Sequence, residues 1–117
     1  MKTILSVTIV LLFISVAWAH AFIDHADPAV GSRLTSPPGM VRIWFTERLE
    51  PALSKIQVFD SRGSQVDKRD AKVDPTNQQL LVVSLPAIKA GKYRVSWRAV
   101  SVDTHVTNGN FEFEVAE

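Results

Sequence analysis

The chain has 117 residues, 46% hydrophobic and 21% charged, with 13 Lys and Arg against 12 Asp and Glu, a net charge of +1 and no cysteine. That length suits one domain with its own core, and the near-neutral balance without a basic stripe argues against a polyanion partner. Without cysteine, no disulfide can staple the fold, and packing alone must hold it.

The first element is a leader. Lys2 precedes an apolar run from Ile4 to Ile14, and Ala17 and Ala19 close it with an A-x-A pattern, the layout of a secretory signal peptide over residues 1–19. The run is shorter than the roughly 20 apolar residues that a membrane span needs, and Ser6 and Thr8 interrupt it. Cleavage is expected after Ala19, which leaves a mature domain of residues 20–117 that begins at His20. The leader carries Lys2 as its only charged side chain, so its removal brings the formal net charge to zero.

Beyond the leader the chain alternates in short runs. Val41 to Thr46, Lys55 to Asp60, Leu80 to Leu85, Lys92 to Ala99 and Asn110 to Val115 are rich in aromatic and β-branched residues, and all five are expected as strands. Tyr93, Val95 and Trp97 share one face while Arg94, Ser96 and Arg98 share the other, the period of a half-buried strand. Asp27-Pro28, Pro37-Pro38-Gly39, Arg62-Gly63, Asp74-Pro75 and Ala90-Gly91 punctuate the runs. Asp60 to Gly63 is expected to turn a hairpin with Ser64 to Asp67 as its short partner strand. The polar stretch Ala71 to Gln79 is expected to be a mobile loop, and Trp44 and Trp97 to be core residues. The pattern as a whole predicts an all-β chain, an antiparallel β-sandwich.

The chain has three histidines, His20, His25 and His105. A histidine at the mature N-terminus can close a six-membered chelate ring on one metal ion with its α-amine and Nδ1. Both nitrogens deprotonate near neutral pH, with reference pKa values of about 7.7–8.0 and about 6.5. Asp103 and His105, two apart in "SVDTHVTNG", would point to the same side of an extended segment about 6.6 Å apart. Together these supply amine, two imidazoles and one carboxylate, an N,O set that suits tetragonal Cu(II). Blue-copper electron transfer needs a thiolate, which is missing, and thioether capture of Cu(I) would have only Met40 after the leader. His25, at odd spacing from His20, is expected opposite it, as a surface residue or one that supports the site from behind.

Three segments resemble the copper resistance protein C (CopC) family of bacterial periplasmic copper-binding proteins. They are "HAFIDHADPAVGS", then "IWFTERLEP", similar to F-[ST]-E-x-[VL]-E-P, and "AGKYRVSWRAVSVDTHVTNGNFEFEV", close to G-x-Y-x-V-x-W-R-x-x-S-x-D-x-H-x-x-x-G-x-F-x-F-x-V. The resemblance implies an immunoglobulin-like Greek-key sandwich of about seven strands. It also implies one Cu(II) per chain held by His20, Asp103 and His105, with Glu47 near enough to orient His20 or its amine. Thr104 stands where the family usually has glycine, so a somewhat different loop is expected there.

The function so implied is non-enzymatic: a periplasmic Cu(II) carrier or buffer for copper homeostasis or resistance, serving a CopD-like inner-membrane transporter or a copper enzyme. Two other readings stand beside it. A copper oxygenase of the lytic polysaccharide monooxygenase type also starts with a chelating histidine, but the chain is small, shows no flat aromatic face, and Asp103 would fill a position that oxygen needs. An exported interaction domain without metal would leave the N-terminal histidine and the D-x-H pair without a purpose.

Overall fold

The computed structural model describes residues 21–117; His20 and the leader expected over residues 1–19 lie outside the described residues. Eight strands follow in chain order: β1 (Ile23–Asp27), β2 (Arg33–Leu34), β3 (Met40–Phe45), β4 (Lys55–Phe59), β5 (Lys72–Asp74), β6 (Asn77–Ser84), β7 (Gly91–Val100) and β8 (Val106–Val115). They form two four-stranded sheets, ordered β1-β3-β6-β5 and β2-β8-β7-β4. All pairings are antiparallel except β2 with β8. Only β5–β6 and β7–β8 are hairpins within one sheet, and the other connections pass between the sheets, as in Greek-key sandwiches.

The inner faces follow the period of two. Val41, Ile43 and Phe45 from β3, with Leu81 and Val83 from β6, meet Ile56 and Val58, Val95, Phe111, Phe113 and Val115 from the opposite sheet. Trp97 packs against this core and sets its ring edge-on to Phe45, 5.3 Å between centroids. Its indole lies against β8 at Gly109, its register partner. A Cβ there would sit 2.5 Å from Cζ2 and 2.8 Å from Cε2 of Trp97, closer than real side chains come. Gly109→Ala is therefore expected to destabilise the domain by about 1–3 kcal/mol through overpacking. At roughly 4–8 °C per kcal/mol for a domain of this size, a thermal melt reads the loss directly, and an unchanged midpoint would mean that the indole moves aside freely.

Several expectations need correction. Trp44 is not a core residue: parity within β3 sends Val41, Ile43 and Phe45 inward, and Trp44 lies half-buried on the outer face. The stretch from Ala71 to Gln79 is not a loop but holds β5, a two-residue turn and the start of β6. The Asp74 carboxylate accepts hydrogen bonds from the Thr76 N–H at 2.8 Å and hydroxyl at 2.6 Å, an Asx turn that lets polar residues close a hairpin. Ser64 to Asp67 makes a single bridge, Gln65 with Phe59, in place of a strand.

Beside that bridge, the edge of β4 is closed by a side chain. Val66 N–H donates to Val58 O at 2.8 Å, and Val58 N–H donates to Asp67 Oδ1 at 2.8 Å. Asp67 is 7% exposed, and its Oδ2 also accepts from Gln65 Nε2 at 3.2 Å and Arg69 N at 3.0 Å. The buried carboxylate is thus fully partnered, as burial requires.

Candidate metal centre

Asp103 and His105 meet at one end of the sandwich, in the connection between β7 and β8. The segment is a tight turn rather than the extended run expected from the sequence. Thr104 N–H donates to Ser101 O at 2.8 Å, and Ser101 N–H donates to His105 O at 3.0 Å. Thr104 takes a φ of 70°, the left-handed region that glycine adopts freely and a β-branched residue adopts at a cost. The turn brings His105 Nδ1 to 3.2 Å from Asp103 Oδ2, so the pair converges by reversal of the chain and not by strand parity. Ser101, 1% exposed, donates its hydroxyl to Asp103 Oδ1. That bond, with the bond and charge of His105 behind it, holds the Asp103 carboxyl below the usual carboxylate range despite some desolvation.

Two further segments close on the same end. The bend after β3 is bound to the turn: Val102 N–H donates to Arg48 O at 3.0 Å, Glu50 N–H donates to Val100 O at 2.7 Å, and Leu49 bridges Ser101. Glu47, half-buried, sits in this bend directly after Thr46. The N-terminal segment is clamped between the two. Ala21 is fully buried, and its carbonyl accepts from Thr107 Oγ1 at 2.6 Å, two residues beyond His105. Phe22 N–H donates to Thr46 Oγ1 at 3.0 Å, and Thr46 N–H returns a bond to Phe22 O at 2.8 Å.

Among the described residues no three His, Cys, Asp or Glu side chains converge as a metal cage. Asp103 and His105 form a pair that needs donors from elsewhere to bind an ion tightly. His25 lies on the outer face of the β1 sheet, where its ring stacks on Trp44 at 4.3 Å with 12° between planes, and its Nδ1 is 2.8 Å from Asp24 Oδ2. Arg42 lies over the other partner of this stack, 5.2 Å from the Trp44 centroid, and pairs with Asp27.

Ser101, Thr46 and Thr107 were missed by sequence reasoning. Their hydroxyls hold the site from behind, and only the serine lies at a telling spacing, two residues before Asp103.

Comparison with known proteins gives the family and supports the fold. Residues 23–116 match the CopC domain. Protein YobA of Escherichia coli (strain K12) is 33% identical over 99 residues, which is 84% of this chain and 80% of that protein. The crystal structure of CopC from Methylosinus trichosporium OB3b superposes with a TM-score of 0.78 at 32% identity, covering 83% of this chain and 94% of that one. PcoC, a methionine-rich copper resistance protein from Escherichia coli, gives 0.71 at 32% identity over 83% of this chain and 99% of its own. With a domain match that spans nearly all the described residues and a sandwich shared with both crystal structures, this chain belongs to the CopC family.

Proposed function

We propose that the chain is an exported, periplasmic Cu(II)-binding protein of copper homeostasis or resistance, which binds one Cu(II) and passes it to a CopD-like membrane transporter or a copper enzyme. His20 would contribute its α-amine and imidazole after cleavage behind Ala19, Asp103 a carboxylate oxygen and His105 an imidazole nitrogen. Glu47 would orient the amine. The observation that carries this reading is the 3.2 Å separation of Asp103 Oδ2 and His105 Nδ1. Two cis donors at bond lengths of about 2.0 Å stand about 2.8 Å apart, so the pair needs only a small adjustment to form one edge of a tetragonal set.

Family membership supports copper, and PcoC is itself described as a copper resistance protein. This chain departs from that relative's methionine-rich character, since Met1 and Met40 are its only methionines. A nitrogen and oxygen set without thioethers favours Cu(II) over Cu(I) and ranks Cu(II) above Zn(II). The anchoring of Ala21 beside Thr107 supports a role for the residue before it, because the clamp fixes where the N-terminal donors attach.

The test is a competition titration with a chromophoric chelator on protein secreted through its own leader. One Cu(II) per chain is expected at pH 7.5, weakening steeply by pH 5.5 because the amine and imidazole donors must be deprotonated to bind. The carboxylate adds little to that loss. Its folded pKa is depressed, so the favourable interactions of charged Asp103 persist above the unfolded carboxyl range and fade only as pH falls through its folded value, below about 3.8. Affinity that ignores pH in this window, or tight Zn(II) binding without preference for Cu(II), would sink the proposal.

A further inference from the structure

We propose that Ser101 is a positioning residue for copper capture: its buried hydroxyl engages Asp103 Oδ1 and leaves Oδ2 as the one oxygen presented beside His105. This rests on the reading above that Asp103 and His105 bind the ion.

Ser101 closes the turn through backbone and side chain together. Its N–H donates to His105 O at 3.0 Å, its carbonyl accepts from Thr104 N–H at 2.8 Å, and its Oγ accepts from His105 N–H at 3.3 Å. A hydroxyl has one proton to give. A charged carboxylate is the stronger acceptor, so that proton goes to Asp103 Oδ1 rather than to the His105 carbonyl, which lies 3.3 Å away. Asp103 is otherwise a surface residue, its side chain 45% exposed, and no core packing fixes its rotamer. Thr104 holds an unfavourable φ between the two candidate ligands, and the Ser101 bonds on either side of it keep that conformation populated. The serine thus fixes the donor pair before the metal arrives and makes Asp103 a one-oxygen ligand.

Removing an outer-shell partner of a metal ligand typically costs 10- to 100-fold in affinity, and that is the loss expected for Ser101→Ala. The experiment measures Cu(II) affinity by chelator competition at pH 7.5, the Cu(II) EPR spectrum, and the melting midpoint of the metal-free protein. It is run on wild type, Ser101→Ala, Ser101→Thr, Asp103→Asn and the Ser101→Ala/Asp103→Asn double variant. Ser101→Ala is expected to bind more weakly with altered hyperfine splitting, and Ser101→Thr, which keeps the hydroxyl, to retain the wild-type spectrum. In the Asp103→Asn background the serine substitution is expected to have much less effect, because its path to the metal is gone. Wild-type affinity and spectrum in Ser101→Ala, or an equal loss with and without Asp103, would overturn the proposal. Should Ser101→Ala fail to fold, Ser101→Thr decides: an altered spectrum in a folded protein that keeps the hydroxyl counts against it. Failure of the copper reading itself would appear separately, as wild-type protein that does not bind Cu(II) tightly.

Discussion

Replacement of His105 by alanine is expected to weaken Cu(II) binding by more than about 100-fold, beyond the usual loss for an outer-shell partner, and to leave the fold intact. The two effects separate because of where His105 stands. Its side chain is 27% exposed and lies outside the hydrophobic core, while its backbone N–H and carbonyl remain bonded to Ser101 whatever side chain it carries. Alanine therefore removes one imidazole donor and the partner of Asp103 while the turn's backbone bonds stay in place. Chelator competition with a thermal melt alongside measures both, and near wild-type Cu(II) affinity in the folded variant would remove His105 from the site.

Extension of the mature N-terminus by four residues before His20 is expected to cost at least as much. The chelate requires that the amine and the imidazole belong to one residue, since only then do the amine nitrogen, Cα, Cβ, Cγ, Nδ1 and the metal close a six-membered ring. An extended chain keeps the imidazole but converts the amine to an amide, whose proton is far harder to displace. Four residues are chosen because a histidine placed second or third would build an amino-terminal copper motif of its own. The fold should not notice: Ala21 and Phe22 are held by Thr107 and Thr46, downstream of the addition. Cu(II) EPR on the two forms should show a nitrogen-rich tetragonal spectrum that the extension changes. Identical spectra and affinities would show that the amine takes no part, and cleavage behind Ala19 would then have no bearing on copper.

Strands β3, β4, β6, β7 and β8 were legible in the sequence because each buries one face, and burial writes a period of two into the residues. β1, β2 and β5 were not. They have two to five residues and lie at sheet edges with polar, exposed positions, so no apolar alternation marks them. Trp44 was misplaced by weighing its size above its parity, although the flanking Ile43 and Phe45 already claim the inward face. The meeting of Asp103 and His105 was foreseen for the wrong reason. Strand geometry predicted a shared side at a wide spacing, whereas a left-handed Thr104 folds the chain back, and nothing in a threonine announces a positive φ. Ser101 stood inside the quoted S-x-D-x-H pattern but was given no role, because the sequence does not show that its hydroxyl is buried against Asp103.

The Asp67 plug on β4 bears on how copies of this protein behave toward one another. The middle of that outer strand has already spent its outward N–H on a carboxylate and its carbonyl on Val66. A strand from a second molecule would find neither bond available, and an exposed edge is otherwise a template for association. With a net charge of only +1, mutual repulsion contributes little to keeping molecules apart. On this edge one aspartate imitates the missing neighbour, which disfavours association of copies through the middle of β4.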